Sequence, residues 1–285
     1  IFTDPAKREG DLVLTIDPAI QNALEKELSA IQGKYDSQIS GGIIMNPKDG
    51  RIYAMAKVPT YDPNNFKEVK DVGVFTNQII EGAYEMGSII KPLTMAAAID
   101  TGAVTATTTY NDKGTLTFNN RTIYNFDLKG RGVVNMQTVL NESLNTGAVF
   151  AMQKMGKGPF KDYMLAYGLG EKTGIDLPGE GRNLISNLDT NRDIEYANAA
   201  YGQGMALTPI TAARALSVIA NGGYLITPHI VEKIDYKGGF SEKIEYPKGK
   251  QILKQGTSEE ISRMLTVVVD KALLNGTLKM EHYSI

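Results

Sequence analysis

Segments typical of β-strands lie near both ends of this 285-residue chain, and segments typical of helices fill most of the sequence between them. The early strand segments are residues 12–17, 42–45 and 52–56, and the late ones are residues 224–226 and 229–236. Strands this far apart in sequence share a sheet only if the chain leaves the sheet and returns to it. We therefore expect an α/β (α+β) fold in which helices flank an antiparallel sheet and a mainly helical lobe is inserted.

Turn and capping residues place the other elements. The stretch Asn46-Pro47-Lys48-Asp49-Gly50 predicts an antiparallel hairpin turn, and Asp17-Pro18 predicts the start of a helix that runs to about residue 31. Further helices are predicted at 88–101, 135–142, 146–155, 160–167, from 208, and at 258–274, with a glycine-rich loop at 168–182. We expect one domain over residues 1–285, with the sheet in residues 1–100 and 205–285 and the helical lobe in residues 101–204.

Composition excludes several classes of function. The net charge is -2 and no run of lysine or arginine occurs, which argues against a nucleic-acid partner. The sequence has no cysteine, which excludes disulfides, thiolate metal sites and a cysteine nucleophile. Its two histidines, His229 and His282, match no metal-ligand spacing, and no G-x-S-x-G elbow occurs. We interpret both as structural, and we expect no metal and no cofactor.

Ser88 and Lys91 are three residues apart where an apolar helix is predicted to begin. Residues i and i+3 share a helix face, so the Lys91 amine can reach the Ser88 hydroxyl and act as the base for a serine nucleophile. The helix N-terminus favours negative charge that develops nearby. The alternative is that Ser88 caps the helix and Lys91 is solvated in its first turn.

Ser143-Leu144-Asn145 falls between two predicted helices, where a loop can bring a hydroxyl and an amide against the Ser88–Lys91 pair. The hydroxyl of Ser143 can relay a proton, and the amide of Asn145 can hold a peptide carbonyl. The alternative is that Asn145 simply caps the helix that begins near residue 146.

These motifs and their neighbours, taken in order, resemble the transpeptidase domain of class B penicillin-binding proteins over nearly the whole chain. The segments that carry the resemblance include 14–17, 47–52, Tyr84-Glu85-Met86-Gly87-Ser88-Ile89-Ile90-Lys91-Pro92, 174–180, Gly202-Gln203-Gly204 and 220–223. Serine β-lactamases share that fold, and S-x-x-K with S-D-N and K-T-G marks both groups. Leu144 occupies the variable middle position of the second motif here. The resemblance implies a penicillin-binding protein/serine β-lactamase-like transpeptidase fold.

Residue by residue, the resemblance implies that Ser88 is the nucleophile, Lys91 its base, and Ser143 and Asn145 the second motif. The backbone N–H of Ser88 is then one oxyanion donor. An ordinary lysine has a pKa of about 10.4, and this pKa must be lowered for the neutral amine to act as a base. Burial can lower it.

A third motif, Lys-Thr-Gly, is expected on a strand after the helix at 258–274. The chain contains Lys-Thr-Gly only as Lys172-Thr173-Gly174, which precedes that helix, so we assign Lys172 no catalytic role and interpret the stretch as a glycine-closed turn. We expect the third motif within about ten residues after Ile285, and therefore expect this chain to be incomplete at its C-terminus.

The resemblance implies a peptidoglycan D,D-transpeptidase that acts on stem peptides ending in D-Ala-D-Ala and binds β-lactams. It further implies a membrane glycosyltransferase and division or elongation proteins as partners. The expected location is the extracytoplasmic face of the bacterial cytoplasmic membrane, with an anchor helix and a pedestal domain outside this chain. Two alternatives stay open: a serine β-lactamase or D,D-carboxypeptidase on the same fold, and a catalytically inactive β-lactam sensor or scaffold.

Overall fold

Strands from the two ends of the chain pair with each other, as expected, but the hairpin strands predicted at 42–45 and 52–56 form a two-stranded sheet of their own. The structure, a computed structural model, describes residues 9–118, 120–247 and 249–283. Within them, strand β1 (Gly10–Leu14) pairs antiparallel with β9 (Val231–Tyr236), which also pairs with β10 (Ser241–Lys243). This pairing places residue 10 beside residue 236, so an early and a late segment of the chain lie side by side.

The predicted hairpin is confirmed. Strand β2 (Ser40–Met45) pairs antiparallel with β3 (Ile52–Val58). The N–H of Ile52 donates to the carbonyl of His229 over 3.0 Å, and the N–H of His229 donates to the carbonyl of Gly50 over 3.0 Å. Because both bonds cross between the hairpin and the segment before β9, the hairpin is fixed to the C-terminal part of the fold.

Helix α1 (Pro18–Tyr35) begins where it was predicted. The Asp17 carboxylate accepts hydrogen bonds from the N–H groups of Ala19 and Ile20 at 2.8 and 3.1 Å, which satisfies N–H groups that have no partner inside the helix. The helix lies against β3 and β2. The other helices are α2 (Gln78–Glu81), α3 (Lys91–Asp100), α4 (Met136–Asn141), α5 (Asn145–Met155), α6 (Lys157–Ala166), α7 (Asp193–Ala200), α8 (Pro209–Ala220) and α9 (Gln255–Val267).

Helix α3 runs through the middle of the main core. Leu93 and Met95 are at most 1% exposed, and Ala96, Ala97 and Ala98 are fully buried. A helix that is apolar on all sides is a buried one, and its alanines let neighbouring helices approach closely. Helices α5, α6, α8 and α9 all pack on it. The residue that opens this helix, Lys91, is therefore buried against the main core.

Among the described residues between α3 and α4 there are four short strands. Strand β4 (Thr109–Asp112) pairs with β7 (Gly132–Asn135), and β5 (Thr115–Phe118) pairs with β6 (Arg121–Tyr124), both antiparallel. The remaining pair joins β8 (Tyr224–Leu225) to β11 (Lys250–Gln251).

Several predicted helix bounds are wrong. The helix predicted from Ser88 begins at Lys91, after a 3₁₀ turn at Gly87–Ile90. Pro92 has no N–H to donate to the Ser88 carbonyl, and the N–H of Lys91 donates to it instead, which tightens the first turn. The helix predicted to residue 274 ends at Val267 and passes through a π-helical turn to Leu274 and Asn275, whose φ angles are 48° and 56°.

Two further differences concern the helical lobe. The helix predicted at 160–167 is α6, which begins at Lys157 because Gly156, with φ 91°, ends α5 there. Helix α7 was not predicted, since its alanines and mixed polar residues show no clear apolar period. The division into a sheet-containing part and a helical lobe stays a prediction. Within the part of the chain that the structure describes, no helix combines the length and apolar character needed to cross a membrane.

Candidate active site

The Lys91 amine lies between two serine hydroxyls. Its Nζ is 3.0 Å from Ser88 Oγ and 2.8 Å from Ser143 Oγ, and it also donates to the Ser143 carbonyl. The first contact spans the 3₁₀ turn and the start of α3, and the other two come from the α4–α5 connection. The structure therefore brings together the two motifs that the sequence singled out.

The burial of Lys91 distinguishes it from an ordinary first-turn lysine. Its side chain is 2% exposed, whereas Ser88 faces solvent. Burial disfavours the ammonium form and lowers the pKa of Lys91 from 10.5 to about 8. The alternative of a solvated lysine is wrong. Ser88 does not cap the helix either, since it lies inside the 3₁₀ turn, which has no side-chain cap.

Ser143 owes its position to the way α4 ends. Its φ is 52°, in the left-handed region, and it stands where helices that end in a Schellman motif usually carry glycine. The N–H of Ser143 donates to Leu140 O over 3.3 Å, and the N–H of Leu144 donates to Val139 O over 2.9 Å. Leu144 is 1% exposed and anchors the turn in the core. The turn thereby presents both the carbonyl and the hydroxyl of Ser143 to Lys91.

Asn145 is the first residue of α5 and not its cap. Leu144 occupies the cap position without a side-chain hydrogen bond, and Asn145 Nδ2 donates to the carbonyl of Tyr124 over 2.8 Å. The capping alternative is therefore wrong. An amide has a second N–H and a carbonyl oxygen, and these can contact a ligand beside Ser88.

A loop from the other side of the fold supports the turn that carries Ser88. The N–H of Gly87 donates to Gly202 O over 3.1 Å, and Tyr84 and Leu207 exchange backbone hydrogen bonds of 2.9 and 2.8 Å. A Cβ on Gly202 would lie 2.0 Å from the Gly87 carbonyl oxygen. Gly202-Gln203-Gly204 carries part of the family resemblance, but the sequence alone did not predict this contact. Its glycines are the signal of a close backbone approach.

Lys172-Thr173-Gly174 lies in a loop, as interpreted from its position in the sequence. Thr173 is 2% exposed, and its N–H donates to Glu180 Oε1 over 2.6 Å, while Gly174 has φ 77°. His229 is also structural: it is 6% exposed and its ring stacks on Tyr246 with centroids 3.7 Å apart.

An apolar cavity of about 640 Å³ borders the Ser88 turn on one side. Met86 and Ile89, which flank Gly87 and Ser88, contribute to its wall together with β2 and α8. A concave, largely apolar surface thus lies beside the turn, lined by the neighbours of Ser88 on either side.

Comparison with known proteins gives the family. The penicillin-binding protein transpeptidase domain matches residues 41–285. The chain is 33% identical to stage V sporulation protein D of Bacillus subtilis, over 96% of this chain and 42% of that protein. It is 27% identical to the peptidoglycan D,D-transpeptidase MrdA of Acinetobacter baumannii, over 94% of this chain and 42% of MrdA.

The fold comparison agrees with these relatives. The crystal structure of penicillin-binding protein 3 from Mycobacterium tuberculosis, complexed with ampicillin, matches with a TM-score of 0.84 and 24% identity, over 91% of this chain and 57% of that one. The expected α/β fold is therefore confirmed. The chain spans about two-fifths of the length of the curated relatives described above. Since the matched region covers most of the residues, the chain belongs to the penicillin-binding protein transpeptidase family.

Proposed function

We propose that the protein is a peptidoglycan D,D-transpeptidase that works through an acyl-enzyme on Ser88. The observation that carries the proposal is the placement of one buried amine, Lys91, within 3.0 Å of Ser88 Oγ and 2.8 Å of Ser143 Oγ. A serine nucleophile needs a base within hydrogen-bond reach, and this amine meets that requirement. The names of relatives such as MrdA support the reaction class.

Acylation begins with the neutral form of Lys91. The amine takes the proton from the Ser88 hydroxyl, and Ser88 Oγ attacks the carbonyl of the penultimate D-Ala of a stem peptide. As the tetrahedral intermediate collapses, the peptide C–N bond breaks and the leaving D-Ala amine receives the proton. Ser143, hydrogen-bonded to Lys91, lies where it can relay that proton.

The start of α3 stabilises the charge that develops on the substrate oxygen. Ser88 is the second residue of the 3₁₀ turn, and the first N–H groups of a helical segment have no partner within it. The Ser88 N–H is therefore available as an oxyanion donor, and the positive end of the α3 dipole adds to its effect. Loss of one such donor slows acyl transfer about 100- to 1000-fold in comparable enzymes.

The second half-reaction transfers the acyl group to an amine. An amine from another peptidoglycan strand attacks the Ser88 ester, Lys91 and Ser143 accept its proton, and the serine hydroxyl is restored. A β-lactam, whose strained amide resembles the D-Ala-D-Ala peptide bond, acylates the same serine. Asn145 contacts the peptide backbone of either ligand through its amide.

The setting of this reaction is likewise a proposal. Cross-linking stem peptides requires the site to lie at the extracytoplasmic face of the bacterial membrane, where nascent peptidoglycan is found. The partners that fit are a membrane glycosyltransferase, which supplies the glycan strands, and division or elongation proteins.

Labelling with a fluorescent penicillin tests the proposal. The intact protein is expected to carry one covalent label, which peptide mass mapping places on Ser88, and Ser88→Ala is expected to carry none. Lys91→Met and Ser143→Ala are expected to label at least 100-fold more slowly. Labelling of the Ser88→Ala variant, or no labelling of the intact wild-type protein, would overturn the assignment of the nucleophile.

A further inference from the structure

A buried carboxylate that the proposed chemistry does not use lies behind the second motif. Asp112, the last residue of β4, accepts hydrogen bonds from the N–H groups of Gly114 and Arg131 at 2.9 and 3.1 Å. It also accepts from Asn125 Nδ2 at 2.9 Å and from Thr146 Oγ1 at 2.8 Å. One side chain thus connects the β4–β5 turn, the residue after β6, the residue before β7 and the start of α5.

This cluster is withdrawn from solvent. Asp112 and Asn125 are each 2% exposed, and Thr146 is 1% exposed. A buried carboxylate is costly unless donors surround it, and here donors from four segments do so. An apolar residue would fill the same space without the directional bonds. What the carboxylate contributes is therefore the relative orientation of the segments that it joins.

Two of those segments meet at Asn145. Asn125 directly follows Tyr124, whose carbonyl accepts the Asn145 amide over 2.8 Å. Thr146 directly follows Asn145, and its N–H donates to Asn125 Oδ1 over 3.2 Å. Asn145 therefore pairs with Tyr124, and Thr146 pairs with Asn125 beside them. Asp112 accepts a hydrogen bond from each residue of the buried Asn125–Thr146 pair.

We propose that Asp112 is a positioning residue for the second motif: through Asn125 and Thr146 it sets where the Asn145 amide points beside Ser88. The inference rests on the proposed acylation of Ser88. Asp112 does not contact the substrate. Its contribution to the rate passes through Asn145, so removal of the Asn145 amide removes the effect of Asp112 as well.

The test measures the second-order rate constant for acylation by a fluorescent penicillin in the intact protein. Asp112→Asn replaces one acceptor oxygen with a donor and is expected to lower the constant at least tenfold. Thr146→Val removes the buried hydroxyl at nearly constant volume and is expected to do the same. Thr146→Ser keeps the hydroxyl and is expected to stay within about threefold of wild type, which is the rescue that positioning requires.

A double-mutant cycle separates positioning from general support. In an Asn145→Ala background, Asp112→Asn is expected to change the acylation constant less than twofold. The control is Asp100→Asn, which alters another buried carboxylate, 6% exposed, bonded to Tyr163 and the Lys254 N–H at the opposite end of α3. Any loss that this control causes is expected to be equal in both backgrounds.

The inference is overturned if Asp112→Asn lowers acylation by the same factor with and without the Asn145 amide. It is also overturned if Asp112→Asn and Thr146→Val both acylate at the wild-type rate. If Asp112→Asn does not fold, the Thr146→Val and Thr146→Ser pair in the two backgrounds gives the same answer. Failure of the proposed function is recognised separately, because Ser88 of the wild-type protein would then take no label.

Discussion

At the scale of single residues, the charge state of Lys91 controls the proposed acylation. Burial lowers its pKa to about 8, so about one-tenth of the molecules carry the neutral amine at pH 7. We expect the acylation constant to rise about tenfold per pH unit below pH 8 and to level off above it, since only the neutral amine accepts the Ser88 proton.

Stopped-flow labelling with a fluorescent penicillin between pH 6 and 10 measures this profile. Circular dichroism at each pH checks that the fold is unchanged, and the rate of penicillin hydrolysis without protein is subtracted. A rate that does not vary between pH 6 and 8 would mean that Lys91 is not the base.

Lys172 gives a second prediction at this scale. Its side chain is exposed and lies in the loop where Glu180 accepts the Thr173 N–H. With Thr173 and Gly174 it nevertheless has the sequence of the third motif, Lys-Thr-Gly. Lys172→Ala is expected to label with penicillin within about twofold of the wild-type rate, because the side chain is in none of the described contacts with Ser88, Lys91 or Ser143. A hundredfold loss in the same labelling assay would show that the loop motif takes part in catalysis.

At the scale of elements, the turn that carries Ser88 depends on a contact between two backbones. Gly202 has φ 85°, and a Cβ there would lie 2.0 Å from the Gly87 carbonyl oxygen. Gly202→Ala must therefore displace the turn. We expect it to lower the free energy of unfolding by about 1–3 kcal/mol and to slow penicillin acylation at least tenfold.

Gly33→Ala is the matched control, because a Cβ at Gly33 on α1 meets no atom within 4 Å. Urea unfolding is expected to show that this change stabilises the protein by about 0.5–1 kcal/mol, since alanine favours the helix over glycine. Acylation should stay at the wild-type rate. If Gly202→Ala behaved like Gly33→Ala, the backbone contact would not be what holds the Ser88 turn.

The elements also separate what local sequence can predict from what it cannot. The Asp17 cap, the hairpin at Asn46–Gly50 and the reach of Lys91 to Ser88 depend on residues within a few positions of one another, and each was predicted. The orientation of Asn145 depends on the Tyr124 carbonyl, and the Ser88 turn depends on Gly202. Those partners are remote in sequence, so only the folded chain, or a family resemblance, reveals them.

At the scale of the whole molecule, Asp176 connects the long loop before α7 to the start of β9. Its carboxylate accepts hydrogen bonds from the N–H groups of Ile230 and Val231 at 2.9 and 2.8 Å, and the Tyr246 hydroxyl lies 2.8 Å away. Asp176→Ala leaves both N–H groups without this acceptor. We expect it to lower the free energy of unfolding by about 1–3 kcal/mol.

Chemical denaturation followed by tyrosine fluorescence measures that loss. Tyr246→Phe removes only the hydroxyl and is expected to cost less than Asp176→Ala. Penicillin acylation of the folded Asp176→Ala protein should stay within about twofold of wild type, because Asp176 contacts the start of β9 and is in none of the described contacts with Ser88, Lys91 or Ser143. An unchanged unfolding curve would contradict this role for Asp176.

At position 143 the backbone conformation favours glycine, whereas the contact with Lys91 requires a hydroxyl. The left-handed backbone of Ser143 is one that glycine adopts without strain, and the backbone strain of a residue other than glycine there costs about 1 kcal/mol. A directed-evolution experiment that rewards heat resistance alone should therefore convert Ser143 to glycine, and the resulting protein should no longer relay a proton from Lys91. Under the proposed function, the serine is kept only while selection also demands acyl transfer, so its retention would indicate that a lineage still carries out the reaction.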